Sequence, residues 1–143
     1  SCTHCSPKLL VPTAEVNFIG KDNQGTINLR SIGYAEKWDN LEDAKTDAEE
    51  NAFNSILFRG IPGTDVENAM IGLNEQEIKS KHSDYFKSFF VDKRYKTFLM
   101  SSNPITPITS KNGYKKITVD LKINIQSLRR DLEQNKVIRG FGF

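Results

Sequence analysis

Residues 39–60 read DNLEDAKTDAEENAFNSILFRG, and the rest of the chain is best understood from them outward. Leu41, Ala44, Ala48, Ala52 and Ile56 recur at three- and four-residue steps, so they share one face of a helix, and Phe53 and Leu57 widen that stripe. Asp39 or Asn40 can cap the first free N–H groups, and Glu42 and Asp43 place negative charge where the helix dipole favours it. Gly60 and Pro62 stop the helix. The pattern predicts a helix over 40–58. Three alanines on its buried face let its axis come close to the surface it covers, and a β-sheet is the expected surface.

Upstream, residues 1–13 (SCTHCSPKLLVPT) hold two prolines and no periodicity. They read as a tether, leaving 14–143 as a single domain. Val16 and Phe18, then Ile27 and Leu29, alternate with polar neighbours on either side of a turn-like KDNQG, which predicts a hairpin. The alternation slips at Ser31–Ile32 ahead of Gly33, where a bulge is expected. Downstream, residues 60–73 read as a loop. A second helix is expected from Asn74, with Glu77 at capping-box spacing and Ile78, His82, Tyr85, Phe86, Phe89 and Phe90 following at helical steps. YKTFLM (95–100) is apolar on both faces, as a central strand would be. Pro104 and Pro107 interrupt the next stretch, and Asn112–Gly113 signals a tight turn. Ile117, Val119, Leu121, Ile123 and Ile125 then alternate with polar residues, so this strand has one wet face. Ile125, Leu128 and Leu132 predict a last short helix ending near Asn135. The order β-β-α-α-β-β-α lacks strict βαβ alternation. It predicts an α+β fold, an antiparallel sheet of about four strands packed on one face by two to three helices.

Composition narrows the chemistry. Twenty Lys and Arg face eighteen Asp and Glu, a net charge of +2 that gives no field of the kind that gathers nucleic acid. A metal site needs about four ligands, whereas Cys2, Cys5, His4 and the distant His82 are the only cysteines and histidines. Gly60-Ile-Pro-Gly63-Thr64 lacks the lysine of a phosphate loop and follows a helix where such a loop must precede one. His82 could serve as a general base, but no nucleophile stands near it in the sequence. No Ser-His-Asp set or dinucleotide fingerprint occurs. The expectation is a protein that is not an enzyme and holds no cofactor or metal. Arg129, Arg130, Lys136 and Arg139 form a basic stretch, interleaved with Asp131 and Glu133, and Arg129–Glu133 is an i,i+4 pair. A solvated helix face is expected there. Phe141 and Phe143, beside Arg139, must fold back on the core or dock on another subunit. Two alternatives stand beside this reading. One is a ligand-binding or hydrolytic domain using a cleft between the two helices and loop 60–73, lined by Tyr85 and Phe89. The other is a subunit of a phage or secretion assembly.

A strand ending in Gly33-Tyr34-Ala35, followed by a helix carrying Asp43, Ala44, Ala48 and Ala52, resembles the β-α-β-β domain of small envelope lipoproteins. That group includes the N-terminal domain of the flagellar assembly protein FlgT. The likeness spans residues 26–125, with ITVDLKI (117–123) as the later strand. The Phe-rich second helix and the C-terminal LRRDLEQNKVIRGFGF depart from the family outline. A tilt toward Asn, Lys and Ile resembles Bacteroidota usage. The resemblance implies a non-catalytic, self-assembling protein in the periplasm or outer membrane. Ser1-Cys2 fits the end of a lipobox, so Cys2 is the expected lipidation site, with the proline-containing stretch after it as spacer. The expected location is the periplasmic face of the outer membrane, and the expected partners are other envelope proteins or copies of the chain itself.

Overall fold

The computed structural model describes residues 15–21, 25–64, 66–72 and 74–139. Five strands form one antiparallel sheet: β1 (Val16–Gly20), β2 (Thr26–Glu36), β3 (Leu99–Pro104), β4 (Thr109–Lys111) and β5 (Tyr114–Asn124). Their order is β1-β2-β5-β3, with β4 also paired to β5. The fold class is therefore α+β, as the element order predicts. β2 and β5 are the long central pair, running in register from Thr26↔Asn124 to Glu36↔Tyr114. Asn112 and Gly113 turn β4 into β5 with φ of 52° and 82°, the left-handed pair that a two-residue hairpin turn requires.

Opposed residues in an antiparallel pair share a face. Ile27, Leu29, Ser31 and Gly33 of β2 stand opposite Ile123, Leu121, Val119 and Ile117, and this face is buried. The other face carries Asn28, Arg30, Thr118, Asp120 and Lys122. There Arg30 holds Asp120 through two bonds of 2.8 and 3.1 Å.

Helix α1 (Leu41–Asn54) lies across the buried face, and Ala44, Ala48 and Ala52 are wholly enclosed. Asn40 and Asp43 form a reciprocal capping box at its start. Gly33 determines how near it comes. A methyl at that position would overlap the Ala44 carbonyl oxygen and stand 2.5 Å from the Ala48 nitrogen and 2.8 Å from its Cβ. Side chains stitch this seam: the Ser31 hydroxyl donates to the Ala48 carbonyl at 2.7 Å, and the Asn51 amide donates to the Ile32 carbonyl at 3.1 Å. Past Asn54 the helix widens into a π-helical turn, Ser55–Arg59. The wider turn buries four successive side chains, Ser55, Ile56, Leu57 and Phe58, which one stripe of an α-helix cannot do.

Several sequence expectations are corrected. The helix expected from Asn74 is broken: α2 (Glu75–Lys81) stops at His82, and α3 (Ser83–Phe86) continues into a π-helical turn, Lys87–Val91. Asn74 makes no side-chain cap bond. The break re-aims Phe86 and Phe89 into the core while α2 buries no residue fully. Residues 95–100 are not a central strand. Arg94–Thr97 is a 3₁₀ turn, and β3 is an edge strand whose Pro104 can donate no ladder bond. No bulge falls at Ser31–Gly33, since β2 pairs with β5 without a slip. The register shifts lie on the edge strands, at Phe18/Gly20 and Leu99/Ser101. Helix α4 (Ile125–Gln134), capped by Asn124, buries Ile125, Leu128 and Leu132 as its spacing predicts, and Asp131 as well.

Candidate functional site

Among the described residues two carboxylates are buried, and both are bound by tyrosines. Glu49, 3% exposed, accepts hydrogen bonds from the Tyr95 hydroxyl at 3.1 Å and the Ser102 hydroxyl at 2.6 Å. Asp131 accepts from the Tyr85 hydroxyl at 2.7 Å and pairs with Arg94. Burial, reinforced by these carboxylates, pushes both phenols well above the usual tyrosine range. Each pair ties a residue of the 85–95 segment to another element, Glu49 of α1 or Asp131 of α4. These groups brace the fold. The basic stretch on α4 is thereby corrected: Asp131 points inward and does not interleave on a solvated face, because Arg94 and Tyr85 compensate its charge inside. Among the described residues Arg129 and Glu133 form no ion pair.

The expected cleft lined by Tyr85 and Phe89 is filled by their own rings. Tyr85 stacks on Phe89 at 5.8 Å, and Phe89 meets Phe53 edge-on at 5.6 Å and Phe98 at 6.1 Å. His82 is half-buried at the α2–α3 junction. No hydroxyl or carboxylate of a described residue is hydrogen-bonded to its side chain.

A concavity lies elsewhere, at the end of the sheet where β2 gives way to α1. A pocket of about 310 Å³ is lined by Tyr34, Glu36, Asp39, Asp43, Asp47, Glu50 and Tyr114, among others. Topology assembles it: Glu36 and Tyr114 are register partners at the strand ends, while Asp43, Asp47 and Glu50 follow one another at four- and three-residue steps on α1. Asp47 accepts from the Tyr34 backbone N–H at 2.8 Å and the Asn51 amide at 3.2 Å. Burial nevertheless raises its pKa above the usual carboxylate range. Glu50 is raised too, by burial and by the neighbouring charges of Asp47 and Glu49, against the pull of Lys93. Tyr34 and Tyr114 shift upward, first by burial and then by nearby carboxylates, Glu15 and Asp47 for one and Glu36 for the other. The Lys115 ammonium donates to the Asp39 backbone carbonyl. None of the five lining carboxylates forms an ion pair with a described residue. Among the described residues no group of three or more His, Cys, Asp or Glu is arranged to hold a metal ion.

The turn between the lining residues Glu36 and Asp39 carries Trp38, the one tryptophan of the chain, 72% exposed, and Leu41 at the start of α1 is 43% exposed. The sequence assigns Asp39 and Asn40 of this turn a capping role and gives Trp38 none. The signal of the turn was a tryptophan set among Glu36, Lys37, Asp39 and Asn40, and an acidic stripe running along α1 next to the alanine stripe. Of the contact residues that sequence reading did select, Arg139 is exposed, while Cys2, Phe141 and Phe143 lie outside the described residues. Compared with protein families, characterised proteins and solved structures, the chain matches none.

Proposed function

We propose that this chain is a non-catalytic domain of a cell-envelope lipoprotein, acting as a structural or assembly subunit through protein–protein contacts. One observation carries the reading: the largest amphipathic side chain of the protein, Trp38, is left in solvent at 72% exposure, in the turn between Glu36 and Asp39 of the acidic pocket. Tryptophan is the residue that most often anchors an interface, because it buries a large apolar area while keeping a polar N–H. The interior supports the same reading, since its carboxylates, Glu49 and Asp131, are spent on bracing the fold. Attachment to the periplasmic face of the outer membrane through acyl chains on Cys2 belongs to the proposal and rests on Ser1-Cys2 in the sequence.

Two experiments test it. Intact-mass measurement of the protein taken from native membranes should show the mass of acyl chains, and an unmodified Cys2 removes the anchor. A photo-crosslinking residue placed at position 38 should yield discrete adducts in the envelope, whereas the same group at exposed Gln76 should not. Equal labelling from both positions would count against a docking site at Trp38.

A further inference from the structure

We propose that the edge of β2 beyond Ile32 is a slot for a short strand, that Thr13 and Ala14 of this chain are its occupant, and that Asp47 and Asn51 of α1 hold the slot's backbone groups in their place. The inference goes beyond the assembly reading above and makes no use of Trp38.

β2 is eleven residues long, and β1 covers only part of it. The register runs from Gly20↔Asn28 to Val16↔Ser31, and a last bond joins the Ile32 N–H to the Glu15 carbonyl at 3.0 Å. Alternate residues of a strand bond to opposite sides, so Ile32, Tyr34 and Glu36 all turn their backbone groups toward this edge. Side chains meet them there. The Asn51 amide donates to the Ile32 carbonyl at 3.1 Å, the Tyr34 N–H donates to Asp47 at 2.8 Å, and the Glu36 N–H donates to Asp39 at 3.3 Å. Each bond is one that a neighbouring strand makes in a ladder. The pocket follows the same edge, being lined by the consecutive Tyr34, Ala35 and Glu36 of β2 and by Asp43, Asp47 and Glu50 of α1. An open strand edge is a template for a further strand.

The chain supplies that strand by continuing an interface it already has. Thr13 and Ala14 lie outside the described residues, directly upstream of Glu15. Carrying the β1 register past Glu15 sets Ala14 opposite Gly33 and Thr13 opposite Tyr34. Glu15 and Ile32 form a hydrogen-bonded pair, so Thr13 and Tyr34 are the next one, with Ala14 and Gly33 a non-bonded pair between them. Ala14 then shares a face with Gly33, where a methyl would already overlap the Ala44 carbonyl oxygen, and a small side chain suits that position. Pro12 falls opposite Ala35, where the ladder asks for no N–H. Glu36 is already served, because Asp39 meets both its N–H and its carbonyl. Docking also replaces a carboxylate by a neutral carbonyl. Asp47 has no ion-pair partner among the described residues, and burial works against its charge. Whichever partner holds the edge releases the other, so the residues upstream of β1 are linked to the acidic pocket.

Amide hydrogen exchange on the whole chain, read by nuclear magnetic resonance, tests this. Asp47→Ala/Asn51→Ala removes the two placeholders. In that variant the Thr13 and Glu15 amides should gain at least about tenfold protection over the wild type. The Tyr34 amide should stay protected, its bond passing to the Thr13 carbonyl, and the α-protons of Ala14 and Gly33 should come into contact. Adding Thr13→Pro removes the N–H that the Tyr34 carbonyl takes, and the Tyr34 amide should then exchange about tenfold faster. Thr13→Pro alone should leave that amide protected by Asp47. Circular dichroism checks folding. Should the double variant fail to fold, Asn51→Ala alone frees the Ile32 carbonyl, and the Glu15 amide should gain the same protection. A double variant in which the Thr13 and Glu15 amides gain nothing, or in which the Tyr34 amide loses its protection, overturns the inference. So does one whose sedimenting mass rises above 16.2 kDa, since a second copy then fills the edge. The reading at Trp38 stands or falls separately, by crosslinking at position 38.

Discussion

The buried face of the sheet is closed in two different ways. Under α1 the contact is backbone to backbone: Gly33 and Ser31 on the sheet meet Ala44 and Ala48 on the helix, and almost no side chain lies between. Toward residues 85–98 the gap is filled by rings: Phe53 meets Phe89 and Tyr95, Phe89 meets Phe98, and Phe58 meets Phe86, at centroid distances of 5.3 to 6.1 Å. The first contact is short and cannot yield, because its walls are main chain. The second is thick, and side chains can turn within it. The first fixes the angle of α1, and so where Asp43, Asp47 and Glu50 stand relative to Glu36 and Tyr114. The ring-filled half holds the rest of the helices down and reaches the pocket only through Lys93 and Glu49, whose charges act on Glu50.

The comparison breaks most visibly at Gly33. Gly33→Ala should cost about 3 kcal/mol in chemical denaturation, since the new methyl must push a helix carbonyl away rather than displace a flexible chain end. Cutting one ring to a smaller apolar residue, as in Phe98→Leu, should cost less, about 1 kcal/mol, because its neighbours can close in.

Next comes the carboxylate that joins the two halves. Glu49→Ala leaves the Tyr95 and Ser102 hydroxyls without their acceptor and should cost about 2 kcal/mol. Glu49→Gln keeps an acceptor and the volume, so about half of that stability should return. Equal losses in the two variants would show that Glu49 acts through its charge alone.

Alkali sharpens the contrast, because it acts on the ring-filled half. Tyr85 and Tyr95 are raised above their unfolded value of about 10. The folded state therefore keeps protons that the unfolded state sheds above that pH. Their contribution is complete below about pH 10 and is lost as pH rises further. Tyr85→Phe should cost about 1 kcal/mol at pH 7, and the gap to the wild type should shrink as pH climbs past 10. A gap that stays constant would mean the Tyr85 phenol titrates alike in both states.

How much of this was legible in the sequence follows the same division. The alanine stripe of 41–56 made α1 and its flat seat readable, and the unbroken alternation of 117–125 made β5 readable, because each element obeys a single period. At Gly33 the sequence signals only a bulge, since spacing along one strand does not reveal a helix crossing above it. Residues 74–100 are legible in part: the helical steps of 78–90 predict the helices that form, but neither the break at His82 nor the 3₁₀ turn at Arg94–Thr97. Aromatics at 85, 86, 89 and 90 keep helical spacing, whereas the apolar run of 95–100 has no clear period, and the conformation there is decided by where Tyr95 and Phe98 find the core. The acidic pocket was missed because its lining comes from a strand end, a turn, a helix stripe and β5, and only the β2–β5 register brings Glu36 to Tyr114. Asp131 was misplaced because its partners, Tyr85 and Arg94, are far away in sequence.

The interior holds the fold, the partner proposed above would meet the surface at Trp38, and that residue is where the two roles are most exposed to test. Thermal or chemical unfolding of Trp38→Ala, followed by circular dichroism, should give the wild-type stability to within about 0.5 kcal/mol, as expected for a surface side chain with no packing role. A loss of about 2 kcal/mol or more would mean that the indole is part of the packed structure, and would contradict its assignment as the anchor of an interface.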